Sequence, residues 1–222
     1  MSAGAQMTAE MAEQPRVLRA LAARRGELAA EVRAALRPIA APAGIVLVAR
    51  GSSDNAAVFG RYVLELATRR PVALAAPSLV TRYGVQDRLD GWLAVGVSQS
   101  GRTPEIVSVL ESFGAAGAVT VAVTNDRDSP LAHAAGATID TAAGAEQAVP
   151  ATKTVTSQFA AFAILAEALG EGLPWDDATW AALPDAVGSL LEDDAPARAA
   201  AEVIGDAQGL VAIARGLLLG AA

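Results

Sequence analysis

Two short stretches of this sequence combine residue types that receive anions. Arg50-Gly51-Ser52-Ser53-Asp54 and Ser98-Gln99-Ser100-Gly101-Arg102-Thr103 are both rich in hydroxyls and glycine. Glycine lets backbone approach a ligand closely, and a hydroxyl can donate to an oxyanion. Each stretch runs into a helical pattern, so each offers the free N–H groups of a helix start, which favour negative charge. Thr103 is a good N-cap and Pro104 a good first helical residue, so the second helix start is well specified. Two such starts facing one crevice form a site for a phosphate monoester. Taken singly, either loop also fits a plain strand-to-helix turn, since turns favour Ser and Gly. A dinucleotide site is disfavoured: G-x-G-x-x-G is absent, no acidic residue ends the second strand, and no Walker A loop occurs.

A third segment, 143–154 (AGAEQAVPATKT), precedes a long apolar helical pattern. Thr152 or Thr154 can cap that helix, and Val149 can offer a backbone contact. Lys153 is the only Lys among 17 basic residues. A cation at a helix start opposes the macrodipole, so a phosphate or a carboxylate should compensate it, and Glu146 is the local candidate. The alternative is a solvated Lys on a helix end. His133, the one His, reads as a packing or surface residue in SPLAHAA. Asp126 and Asp128 read as turn residues without a calcium pattern. Glu105 complements the dipole of its helix.

These loops need a frame, and the sequence supplies one. Residues 16–37 carry Val17, Leu18, Leu21, Leu28, Val32 and Leu36 at helical spacing, ended by Pro38. From Gly44 onward, short apolar runs alternate with helical patterns. Strands are expected at 45–49, 71–76, 93–97, 119–123 and 137–141, and helices at 55–68, 104–116, 129–135 and 153–169. That alternation implies an α/β fold: a three-layer αβα open parallel sheet of five strands, flavodoxin-like or Rossmann-like, plus an N-terminal helix. In such a sheet ligands sit beyond the strand ends where strand order reverses. For an order 2-1-3-4-5 that point lies between strands one and three, where the first two loops emerge.

The chain divides on this reading into an N-terminal helical arm (1–42), the α/β domain (43–170), an acidic helical connector (171–207) and a final segment (208–222). Trp175 and Trp180 are expected to pack the connector onto the domain. The final segment repeats part of the first: GIVLVARGSSDNAA and GLVAIARGLLLGAA share seven of fourteen positions. Duplication is the preferred reading, which makes 208–222 the start of a truncated second copy. Leu217, Leu218 and Leu219 replace Ser52, Ser53 and Asp54, so only the first copy keeps anion donors.

Composition bounds the rest. The 222 residues are 53% hydrophobic, enough for a core, with a formal charge of -7 from 17 basic and 24 acidic side chains. That acidic surplus disfavours nucleic-acid binding, and 16–37 is too short to build a helix-turn-helix. With no Cys, disulfides and thiolate chemistry are excluded, and one His leaves no His-built metal site or triad. No apolar run reaches the roughly 18 residues of a membrane span, and the first residues lack signal-peptide order. A cytoplasmic protein with no metal or cofactor is expected.

ARGSSDNAA, SQSGRT and VPATKT together resemble the SIS (sugar isomerase) phosphosugar-binding domain. The likeness covers roughly 7–170 and resumes at 209–222. EMAEQPRVL (10–18) resembles the segment before the first of two SIS copies in glucosamine-6-phosphate synthase; the loops are closer to the amino-sugar-phosphate deaminase/isomerase branch. The resemblance implies sugar-phosphate contacts from Ser53, from Ser98, Gln99, Ser100 and Thr103, and from Val149. With Gly51, Ser52, Gly101 and Lys153 from the loops themselves, these are the candidate site residues. Ala151 stands where the family often has Ser, and Pro150 replaces a small residue. The resemblance also implies a homodimer. It places the family's catalytic Glu, His and Lys beyond Ala222, so this chain is expected to bind a phosphosugar, such as glucosamine 6-phosphate or fructose 6-phosphate, with little turnover. A non-catalytic phosphosugar sensor is the alternative.

Overall fold

The computed structural model describes residues 4–39, 41–170 and 172–221. The first residue of the expected connector, Glu171, and the last residue of the chain lie outside the described residues.

Five parallel strands, β1 (Ile45–Val48), β2 (Val72–Leu74), β3 (Leu93–Ser98), β4 (Val119–Thr124) and β5 (Ala137–Asp140), form one sheet in the order β2-β1-β3-β4-β5. The register sets Ile45 beside Leu93 and Leu93 beside Val119. Because side chains alternate across a strand, both faces of these runs are apolar and both are covered. Ile45, Leu47, Leu93, Val95, Val97, Val121 and Val123 face one core, shared with α2 (Gln14–Ala35), α3 (Ser52–Thr68) and α7 (Lys153–Leu169). Val46, Val48, Ala94 and Ala122 face the other, shared with α5 (Pro104–Ala115) and with Leu131 of the short α6 (Pro130–His133).

The expected strands and their order are therefore observed, and so are the main helices. The edges differ. The strand expected at 71–76 is only three residues long, and a five-residue helix, α4 (Pro77–Thr81), follows it. The N-terminal region holds two helices where one was expected, α1 (Ala5–Ala12) and α2. Pro15 sits in the first turn of α2, where its missing N–H costs nothing. Leu18, Leu21, Leu28 and Val32 are buried against the sheet, so α2 belongs to the outer layer of the α/β unit.

Residues 177–204 form α8 (Asp177–Glu192) and α9 (Ala195–Ile204). Asp176 begins α8 with a capping box to Thr179. Trp180 is buried and Trp175 half-buried, and both indole N–H groups donate to the Glu167 carboxylate on α7. The two Trp residues do pin the connector to the domain. Residues 209–215, which echo β1, form no strand; Leu210, Val211 and Ile213 are exposed. A strand needs a neighbour to satisfy its amides, and none lies beside this one among the described residues. A short 3-10 helix, Gly216–Gly220, then lies on α3, with Gly220 against the Asn55 carbonyl and Phe59.

Candidate functional site

β1 and β3 are neighbours from which consecutive strands diverge, so their carboxyl ends leave a crevice. The cleft there measures about 190 Å3. Arg50, Gly51, Ser52 and Ser53 line it from the first loop, and Ser98, Gln99, Ser100 and Thr103 from the second. Val97 and Ile106 supply its apolar part.

Backbone conformation shapes both loops. Gly51 has φ 61° and ψ -137°, a region closed to residues with a Cβ, and it begins α3. Gly101 also has a positive φ, and a Cβ there would collide with the Ser129 and Thr124 side chains. The Gly101 carbonyl accepts from Leu131 N–H at 3.0 Å, which fixes the loop to α6.

The hydroxyls are ordered within this frame. Ser98 is buried; its Oγ accepts from Gly101 N–H at 3.2 Å and shares a hydrogen bond with Thr103 Oγ1 at 3.1 Å. Thr103 stands at the N-cap of α5 as expected, but its hydroxyl goes to Ser98 and makes no cap bond. Gly51 likewise gives α3 no side-chain cap. Two helix starts thus meet the cleft with no side-chain cap on their first amides, the arrangement that receives an oxyanion.

Charge around the cleft is mostly balanced. Arg50 Nε pairs with Glu105 at 2.9 Å, tying one loop to the first turn of α5. Arg102 pairs with Asp126 at 2.8 Å. That hydrogen bond, with a second from Asp128 N–H, holds the Asp126 carboxyl below its ordinary range.

Seven of the expected residues come together in this cleft: Gly51, Ser52, Ser53, Ser98, Gln99, Ser100 and Thr103. Gly101 supports it from behind. Val149 and Lys153 are not among its lining residues. Val149 is 98% exposed on the loop after β5. Lys153 is 2% exposed and its Nζ pairs with Glu13 Oε1 at 2.9 Å. The expected partner, Glu146, instead caps α7: it accepts from Thr152 N–H at 2.9 Å, from Thr152 Oγ1 at 3.0 Å and from the Thr154 hydroxyl. Glu146 also accepts from Thr154 N–H at 3.4 Å in the first turn of α7, where a carboxylate complements the macrodipole, and the Lys153 ammonium pairs with a second acid.

Sequence reasoning missed the residues that hold this third loop. Glu10 is buried and accepts from Gln147 N–H at 2.6 Å and Ala148 N–H at 3.1 Å. Gln14 accepts from the Thr156 hydroxyl. The Gln147 amide, first, keeps Glu10 acidic, and the Lys153 ammonium does the same for Glu13. The available signal was spacing: Glu10, Glu13 and Gln14 stand three and four apart in the sequence, although the structure puts Glu10 on α1, Gln14 at the start of α2 and Glu13 between them. Gln158, which touches Ser53, was missed as well. His133 is exposed at the end of α6.

A doubly wound parallel sheet with an uncapped, hydroxyl-lined cleft at its reversal point defines a phosphate-binding class of α/β domain. The SIS domain profile matches residues 39–168, more than half of the chain, and the chain belongs to that family. It is 33% identical to the glutamine–fructose-6-phosphate aminotransferase (isomerizing) of Symbiobacterium thermophilum, over 95% of this chain and 37% of that protein. Among solved structures, a candidate phosphosugar isomerase from Silicibacter pomeroyi superposes with a TM-score of 0.80 at 37% identity, over 89% of this chain and 60% of that one. The tagatose-6-phosphate ketose/aldose isomerase of Escherichia coli shares the fold, with a TM-score of 0.78 at 19% identity, over 99% of this chain and 62% of that one. The chain spans about a third of the length of the curated relatives it matches. Among the described residues no helix is long and apolar enough to cross a membrane.

Proposed function

We propose that this chain binds a sugar phosphate in the cleft between β1 and β3, as part of an amino-sugar-phosphate isomerase or deaminase that interconverts glucosamine 6-phosphate and fructose 6-phosphate. One observation carries the reading: two helix starts without side-chain caps, with the Ser53, Ser98, Ser100 and Thr103 hydroxyls, converge on one cleft. The phosphate sits on the amides and the serine and threonine hydroxyls. Relatives named for fructose-6-phosphate and phosphosugar chemistry support the ligand class. The protein acts in the cytoplasm as a homodimer; the exposed Leu210, Val211, Ile213 and Leu218 support self-association.

Isomerisation at C1 and C2 needs a base poised near neutral pH. Among the described residues the cleft lining holds no carboxylate, imidazole or amine, and the guanidinium there, Arg50, is paired with Glu105. This favours the second reading, a binding module without turnover of its own. Calorimetry with fructose 6-phosphate and glucosamine 6-phosphate tests the ligand: a saturable heat with either is expected, and no heat with both would overturn the proposal. Turnover of either sugar by the purified 222-residue chain would exclude the pure binding module.

A further inference from the structure

We infer that Gln158 of α7 is a positioning residue for this cleft, setting the Ser53 hydroxyl so that it donates to the ligand; the inference rests on the phosphosugar reading above. Gln158 is 2% exposed, and its Nε2 donates to Ser53 Oγ at 3.0 Å. Ser53 is itself buried except where it lines the cleft. A hydroxyl carries one proton and two lone pairs. With an amide N–H directed at its oxygen, Ser53 cannot point its proton back at Gln158. The proton is left for an acceptor on the cleft side, and a phosphate dianion offers only acceptors there.

The other half of the amide makes the case stronger. Gln158 Oε1 has no hydrogen-bond partner among the described residues and is shielded from solvent. An unpaired buried carbonyl oxygen opposes folding. Leucine has nearly the same bulk and no such oxygen. Gln158 therefore trades stability for the orientation of one hydroxyl, as residues at binding sites do.

Opposite signs in stability and affinity distinguish this role from packing. Gln158→Leu, with Gln158→Met in parallel as an unbranched variant of equal length, should keep or raise Tm. Each should weaken fructose 6-phosphate binding by about three- to tenfold, the worth of one neutral hydrogen bond. Combined with Ser53→Ala, Gln158→Leu should add nothing beyond Ser53→Ala alone. Unchanged or tighter binding, additive losses, or a fall in Tm together with affinity would each overturn the inference. Should the wild-type chain bind no sugar phosphate, the proposed function fails, and the contact itself is read separately. The Gln158 side-chain amide protons should exchange slowly in wild type and faster in Ser53→Ala, and equal exchange would remove the contact.

Discussion

Three helix starts in this protein have nearly the same composition, and only two of them are open. α3 and α5 begin at Gly51 and Thr103 with no side chain on their first amides, and both line the cleft. α7 begins in an equally hydroxyl-rich sequence, yet Glu146 fills its start, and Glu10 fills the amides of Gln147 and Ala148 just before it. A carboxylate of the chain occupies there the kind of place that a phosphate would take at the other two. Residue type alone does not make an anion site; what matters is whether the protein has already supplied its own anion.

The comparison breaks most severely at Gly101. A methyl group at φ 61° would press on Ser129 and Thr124. Backbone strain and overpacking together should cost about 2–4 kcal/mol in Gly101→Ala. Urea denaturation should show that loss, and calorimetry should show sugar-phosphate binding gone with the displaced loop. A variant as stable as wild type that still binds would mean the second loop does not depend on this geometry.

Ser98→Ala is next. If an anion rests on this loop, losing a hydroxyl that donates to it should cost about 1.5–3 kcal/mol of binding, roughly ten- to a hundredfold in Kd. Ser100→Ala should act in the same direction. Equal affinity in both variants would move the ligand out of the cleft.

Much of this was legible in the sequence, for a physical reason. IVLV, LAVGV and VTVAV are apolar on both faces, which only a strand covered on both sides can use. The parallel sheet follows from that pattern; the apolar runs alone leave a flavodoxin-like and a Rossmann-like order open, and the two loops meet at the reversal only in the order 2-1-3-4-5, which is the one observed. The ties between distant segments were not legible. Glu10 and Gln147 lie 137 residues apart, and Glu13 and Lys153 lie 140 apart, so no local periodicity links them. Gln158 is a single amide in an apolar helix, and only its buried contact with Ser53 distinguishes it. Residues 209–215 teach the converse. They repeat the pattern of β1, yet strand structure is a property of a pair, and no partner lies beside them among the described residues.

A smaller effect sharpens the difference between the starts. Glu146→Ala empties the α7 start and should cost about 0.5–2 kcal/mol of stability, as loss of an N-terminal cap does. Affinity for fructose 6-phosphate should stay within about twofold, because Glu146 does not line the cleft. A tenfold change in Kd would mean that the loop after β5 reaches the ligand, bringing Val149 and Lys153 back to the site.

Acid separates the regions with the least perturbation. Glu10 and Glu13 are held below the ordinary glutamate value of 4.5, Glu10 mainly by the Gln147 amide and Glu13 mainly by Lys153. Depressed acids stabilise the fold fully above that ordinary value and lose the contribution as pH falls through their folded values. Below about pH 4.5, therefore, the Gln147 and Ala148 amides should begin to lose protection relative to their intrinsic exchange rate at each pH, while the Leu131 amide, bonded to the Gly101 carbonyl, should keep its protection. Glu10→Gln should make the protection of Gln147 and Ala148 respond less to pH. Among the described residues the cleft lining has no acid of its own, and the depressed acid tied to its second loop, Asp126, starts from an ordinary value of 3.8, so protection there should outlast that of the third loop as pH falls. Simultaneous loss of protection at Gln147 and Leu131 would mean that the third loop and the cleft form one cooperative unit, and that the α7 start stands or falls with the other two.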